Sequence, residues 1–494
     1  MDHPENRSVR SQRVASANRG WATALIAFVA CVIGALAIPV SRAAAQSLAP
    51  IVFVHGQSGS AQQFETHAMR FTSNGYPQGL LFAFEYDTSL LTTQPLAALD
   101  AFIDGVLAQT GADKVYAIGH SRGTTVWTSY LDSPAFDGPS KVAKYVNIDG
   151  RTQPTLPGGV PTIGIWGEWN TADSGYNRRG NTNAVIGPDP ADNYYFGTKS
   201  HTEVATSAEA FALAYEFFTG RAPATTDVVP EPPGQVQVGG RAVIFPENVG
   251  YDGARVEAWR VEPATGRRVG SRPLATFDID GSGNFGPFKV NGTRHYELAV
   301  VRPPANGAPQ TVHHFYFEPF SRTDLFVRLN TSRPNTSLEV YLPRDPNFTN
   351  LVLTRQRDFW GDQGANSDQL LIDGLNVLQP NTSPRSAVNL AVFAYDSGPT
   401  GPDGATDLDK GELFPFNLLT FLTAVDVSIP ASPDASGTVA VTDVARGSGN
   451  ASTINVPNWP ADVHRISLQF RDDDQQVERF TDPELGPRGK LPGR

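Results

Sequence analysis

The hydrophobic rhythm of the chain changes once, and the change divides it. Between residues 50 and 220 short apolar runs alternate with segments at helical spacing. Ile51-Val52-Phe53-Val54 and Leu80-Leu81-Phe82-Ala83-Phe84 are too short and too uniformly apolar for amphipathic helices and predict buried strands. Leu96, Leu99, Phe102, Ile103, Val106 and Leu107 recur at helical spacing and predict a helix. Further strands are predicted at 115–118, 144–148 and 161–166. Thr206-Ser207-Ala208-Glu209 reads as a capping box opening a last helix through Phe218, with Gly220 as its stop. Alternation of this kind predicts an α/β fold: a mostly parallel sheet covered by helices on both faces.

Beyond residue 234 the period shortens to two. Leu325, Val327 and Leu329 alternate, as do Leu338, Val340 and Leu342, with Pro, Gly and Asn between such runs. This predicts an all-β sandwich or barrel region of short antiparallel strands. The proline-rich stretch RAPATTDVVPEPPG lacks any period and reads as a linker. The organisation expected is therefore an α/β unit over 46–220, a linker over 221–234, a β-sandwich module over 235–319, a second β-rich module over 320–470, divided near Phe320, and a polar flexible tail over 471–494. Phe315-Tyr316-Phe317-Glu318-Pro319-Phe320, with Trp259, Phe285, Phe288 and Tyr296, is expected to be mostly core, because one side of each strand must be buried.

The first 45 residues follow neither rhythm. Arg7, Arg10, Arg13 and Arg19 precede an apolar run from Trp21 to Val40, and Ala43-Ala44-Ala45 supplies an A-x-A cleavage site before Gln46. This is the layout of a secretory signal peptide over 1–45, so the mature protein is expected to be secreted with no integral membrane span. The competing reading is an uncleaved anchor helix, since the run is long for a signal. Cys31, the single cysteine, falls inside that run, so the exported part has no disulfide and relies on burial alone. At 494 residues with 40% hydrophobic content the chain is long enough for two or three domains. Its formal net charge of -11 argues against nucleic acid or an acidic membrane surface as partner.

Chemistry concentrates at Gly119-His120-Ser121-Arg122-Gly123. An apolar run, 115–118, leads in, and a helix-compatible run, 124–131, leads out. G-x-S-x-G at a strand-to-helix turn presents a serine hydroxyl clear of the backbone. Such a hydroxyl needs a base to take its proton. Between Ser121 and the linker the only histidine is His201, placed just before the predicted last helix. The acid that would orient it is expected at Asp149, after the 144–148 strand. Asp173 is the alternative, and Glu168 a third choice. Asn170 occupies the place where many hydrolases carry the acid, and an amide cannot stabilise an imidazolium as a carboxylate does. Backbone N–H groups of Gln57 and Arg122 are the expected oxyanion donors. His55 and His120 read as structural. The polar, glycine-rich stretch Trp169–Tyr195 reads as a mobile cover.

Two Asp-rich stretches, 278–284 and 403–409, have the look of calcium loops but lack the terminal glutamate and read as hairpin turns. No CxxC or H-E-x-x-H pattern occurs, and no organic cofactor and no metal are expected.

The segments 55–65 (HGQSGSAQQFE) and 70–77 (RFTSNGYP), with Gly119–Gly123, Val146–Gly150, 201–220 (HTEVATSAEAFALAYEFFTG) and, more weakly, 240–250, resemble the α/β-hydrolase lipases, and within them the archaeal two-domain lipases with a C-terminal β-domain. The resemblance implies an α/β-hydrolase fold, hydrolysis of fatty-acyl esters, a lipid or other hydrophobic ester as partner, and a β-domain that helps engage lipid. It also implies an acid after the sixth strand of the fold, which favours Asp149. Gln57 and Arg122 depart from the apolar residues usual at those places, without removing a backbone donor. Two other readings stand beside it: an extracellular polyester depolymerase with the same triad, and a non-catalytic cell-surface binding protein.

Overall fold

The computed structural model describes residues 48–472 except 168–183, 190–191, 197–198, 335, 399–401 and 412. The segment read as a signal peptide, Glu168, Asp173, most of the Trp169–Tyr195 stretch and the tail beyond 472 lie outside the described residues.

The α/β unit is built on a six-stranded sheet in the order β2-β1-β3-β4-β5-β6. Its strands are β1 (Ile51–Val54), β2 (Leu81–Phe84), β3 (Val115–His120), β4 (Val142–Ile148), β5 (Thr162–Gly167) and β6 (Asn193–Phe196). Every neighbouring pair is parallel. The helices are α1 (Glu65–Ser73), α2 (Leu96–Thr110), α3 (Arg122–Leu131), α4 (Gly138–Lys141), α5 (Glu203–Thr206) and α6 (Ala208–Thr219). Strand alternation explains the two layers. Ile51 and Phe53 face a core shared with Phe71 of α1 and Phe211 of α6. Val52 and Val54 face the other, with Leu99 of α2 and Trp127 of α3. Helices on both faces bury both sides of the strands, which is why they read as continuous apolar runs.

The expected capping box needs correction. The cap of α6 is Ser207, whose hydroxyl accepts from the Ala210 N–H, so no box runs from Thr206 to Glu209. Glu209 is instead buried against Lys199 at 3.3 Å, a partner that outweighs a local cap.

The β-region contains β7 (Gln237–Ile244), β8 (Val249–Gly250), β9 (Arg255–Val261), β10 (Ala275–Asp278), β11 (Asn284–Lys289), β12 (His295–Val301), β13 (Val312–Phe317) and β14 (Asp324–Thr331). It continues with β15 (Leu351–Phe359), β16 (Gln369–Ile372), β17 (Leu375–Asn376), β18 (Asn389–Tyr395), β19 (Leu422–Asp426), β20 (Thr438–Val444), β21 (Ala451–Pro457) and β22 (His464–Gln469). An eight-stranded sheet runs β10-β9-β12-β13-β22-β15-β18-β19. Strands from both sides of Phe320 therefore share one sheet, joined where β22 inserts parallel to both β13 and β15. The aromatic run ending at Phe320 is buried. The 278–284 turn is not a hairpin: β10 pairs with β9 and β11 with β7, so the turn crosses between two sheets. Asp280 closes it by accepting from the Ser282 N–H.

The proline-rich segment lies along α1. The side-chain oxygen of Asn74, just after α1, accepts from the N–H groups of Ala224 and Thr225, and Arg70 donates to the Thr226 carbonyl. Without a period of its own, it borrows its order from the helix beside it.

Candidate active site

At the end of β3 the chain turns sharply. Ser121 has φ 52 and ψ -122, a conformation that L-residues rarely adopt and that persists only where the surroundings enforce it. Its N–H donates to the Ile148 carbonyl, extending the β3–β4 ladder to the serine, and its own carbonyl accepts from Thr124. The turn admits no bulk. A Cβ on Gly123 would lie 2.2 Å from the Val54 carbonyl oxygen, and one on Gly150 would lie 1.9 Å from Thr124 Oγ1.

Three groups from three separate loops meet here. Ser121 Oγ and His201 Nε2 are 2.9 Å apart, and His201 Nδ1 lies 2.6 Å from Asp149 Oδ2. Asp149 follows β4 and is buried, and its other oxygen accepts from the Gly167 N–H at 3.1 Å, so the carboxylate is fixed from two sides. With Nδ1 donating to the carboxylate, Nε2 is the acceptor for the serine hydroxyl. The His201 carbonyl accepts from His120 Nε2 at 2.9 Å, and Gln63 donates to the other nitrogen of His120. His120 is thus a strut under His201 rather than a packed ring alone. Gln63 also accepts from the Gly56 N–H, which ties the loop after β1 to the same chain of bonds.

Around the expected oxyanion position, the two departures noted in the sequence meet each other. The Arg122 guanidinium donates to the Gln57 side chain and to the carbonyls of Thr88 and Leu90. Gln57 in turn donates to the Thr88 carbonyl at 3.1 Å. A polar pair thus holds the segment after β2 over the elbow, leaving Leu91 exposed at its tip. His55 is stacked on Tyr86 and donates to the Gly56 carbonyl. Burial, offset only in part by Glu85, pushes its pKa down to about 4, so it stays neutral and holds the loop. Among the described residues, no group of three His, Cys, Asp or Glu is disposed to hold a metal. No described helix is long and apolar enough to cross a membrane.

The model of the Lipase (class 2) family matches residues 48–131, which carry β1, the elbow and α3. That of the Lipase C-terminal domain matches 234–334. The two matches support a lipase-family α/β-hydrolase with a C-terminal β domain. A third model, of another C-terminal domain, matches 337–474. Among solved structures, the mature lipase BlEst2 of Bacillus licheniformis is similar over 21% of this chain and 42% of its own length, at 22% identity and a TM-score of 0.19. The chain thus spans less than half of that relative. Aspergillus fumigatus lipase B is similar over 38% of this chain and 56% of its own, at 17% identity and a TM-score of 0.28. A gene product of Listeria innocua is similar over 36% of this chain and 97% of its own, at 14% identity and a TM-score of 0.27.

The sequence reading missed the side chains that reach the site from the β-region. From 234–334, Asn248 donates to the Gly59 and Tyr86 carbonyls, while Arg241 and Arg328 both pair with buried Glu85. Glu85 also accepts from the Ala61 N–H. Burial would raise the Glu85 carboxyl, but Arg328 and Arg241 outweigh it and hold its pKa at about 2. From 337–472, Asp358 accepts from Ser200 and Thr202, and Arg446 pairs with Glu203 at 3.3 Å. Burial opposes ionisation of Glu203, but Arg446, Lys199 and Arg357 prevail and keep its pKa below the ordinary value. No local signal could have found these contacts: Asp358 stands 158 residues from Ser200 in the chain.

Proposed function

We propose that the chain is a serine carboxylic-ester hydrolase acting on fatty-acyl esters through an acyl-enzyme on Ser121. The reading is carried by one observation, the Ser121–His201–Asp149 chain of contacts at 2.9 and 2.6 Å on a strained strand-to-helix turn. Ser121 Oγ attacks the ester carbonyl carbon while its proton passes to His201 Nε2. The carbonyl oxygen becomes an oxyanion facing the Gln57 and Arg122 N–H groups, and Asp149 stabilises the imidazolium. Collapse breaks the bond to the alkoxy oxygen, which leaves as alcohol with the proton from His201. Water, deprotonated by His201, then attacks the acyl carbon, and the acid departs as Ser121 regains its proton. Asp149 is the acid in this reading.

Fatty-acyl esters are the substrate class assigned here because the family is a lipase family. Residues 1–45 serve as an export signal in this reading, which places the enzyme outside the cell. Ser121→Ala is expected to lower ester turnover at least about a thousand-fold with the fold intact. Retention of a tenth of the parent rate would overturn the assignment. Labelling by a fluorophosphonate that depends on Ser121 distinguishes an enzyme from a binding protein. Rates on triglycerides of graded chain length, set beside a solid polyester, distinguish a lipase from a depolymerase.

A further inference from the structure

We propose that Asp358, on β15 of the C-terminal β-region, is a positioning residue for His201: it sets the reach of the imidazole to Ser121 by anchoring both chain neighbours of the histidine. The inference rests on the reading of His201 as the base.

The geometry is specific. A single oxygen of Asp358, Oδ1, accepts from Ser200 Oγ at 2.8 Å and from Thr202 Oγ1 at 3.1 Å. These are the residues immediately before and after His201, and all three partners are buried. The second oxygen, Oδ2, accepts from the indole N–H of Trp360, so the carboxylate cannot rotate away from the loop without losing that bond. Arg446 braces the same carboxylate at 3.4 Å and meets Glu203, the next residue along, at 3.3 Å. Ser200 Oγ also accepts from the Glu203 N–H, which closes the turn into α5.

The described residues 199–202 hold no strand, and the turn at 201–202 leads directly into the one-turn α5. Asp149 and His120 hold the ring and the carbonyl of His201, and the Ser200 and Thr202 carbonyls accept from the Val204 and Ala205 N–H groups, but none of these bonds ties the flanking residues to the β-region. Two hydroxyls converging on one acceptor do so, as a pin through both sides of a hinge. Reaction geometry makes such a pin consequential, because a misplacement of about 1 Å at a catalytic group can cost on the order of a hundred-fold. The β-region would then complete the catalytic site besides any role in meeting substrate.

The test removes the hydroxyls and leaves the ion network intact. Ser200→Ala/Thr202→Val is assayed on a short soluble ester, with active sites counted by phosphonate titration. The expected result is a fall in kcat per titrated site of about 10- to 100-fold with KM within two-fold of the parent. Ser200→Thr/Thr202→Ser keeps both hydroxyls and is expected to stay within about three-fold of the parent kcat. Asp358→Ala, added to the hydroxyl-free pair, is expected to lower kcat per site little further, since the contact is already gone. The proposal is overturned if the hydroxyl-free pair matches the parent per titrated site, even with fewer sites surviving, or if the hydroxyl-keeping pair falls as far. His201→Ala run beside them isolates the underlying reading: activity surviving that change removes the base and the proposal together, whereas loss there with a fully active hydroxyl-free pair removes the proposal alone.

Discussion

The two stretches of the β-region grip the α/β unit by different means. Residues 234–334 reach the loop after β1 through one buried carboxylate, Glu85, held between Arg241 and Arg328, and through the Asn248 amide. Residues 337–472 reach the His201 loop through a buried network in which Arg446 meets Glu203, Asp358 and Asp368 together. The first grip is compact, one carboxylate held between two guanidinium groups within one site. The second is extended, so each charge depends on several others. Loss of one member of such a network strands the rest without water, which makes it the more fragile of the two. It is also the grip that touches the neighbours of His201.

The largest effect is therefore expected in the extended network. Arg446→Met leaves three carboxylates without a common partner and is expected to cost about 3–5 kcal/mol in urea unfolding. A loss below about 1 kcal/mol would show the network to be redundant and erase the contrast. Next comes Glu85. Its pKa of about 2 in the folded chain lies below the ordinary 4.5, so its contribution is complete above about pH 4.5 and is lost as the pH falls toward 2. That shift corresponds to about 3 kcal/mol. Glu85→Gln should remove this part of the acid slope in unfolding midpoints measured across that window, and an unaltered slope would mean the carboxylate gains nothing from its arginines. The smallest effect is expected at Asn248, which has φ 56 and donates through its side chain. Asn248→Ala is expected to cost about 1–2 kcal/mol from the lost hydrogen bonds and the left-handed backbone. Asn248→Gly should lose less, because it relieves the backbone part; equal losses would assign the whole effect to the amide.

Much of the α/β unit was legible because its signals are local. Ile51–Val54 is a strand as read, and the strand predicted at 115–118 runs on to His120, because the elbow continues its ladder through Ser121 to Ile148. The helix begins at Leu96 as its spacing required and extends to Thr110. Ser121, His201 and Asp149, singled out by the elbow motif, the chain order, the amide at Asn170 and the family resemblance, lie in contact with one another. The cap at Ser207 was misread by one residue, because Glu209 answers to Lys199 rather than to its own helix. The insertion of β22 between β13 and β15 had no local sign, since period-two alternation states that a segment is a strand and not which strand it joins.

What this sequence determined alone is whatever periodicity, turn chemistry and chain order encode. That includes the parallel α/β unit, the change to short strands after residue 234, and the serine, histidine and carboxylate available to react. Only the tertiary structure decided what holds those groups in register, because side chains such as Asp358 and Glu85 act across more than a hundred residues of chain. A buried charge leaves no pattern in its own segment. Its partner is chosen by burial, which forces every ionised group to find an opposite charge or a donor wherever the packed layers bring one within reach.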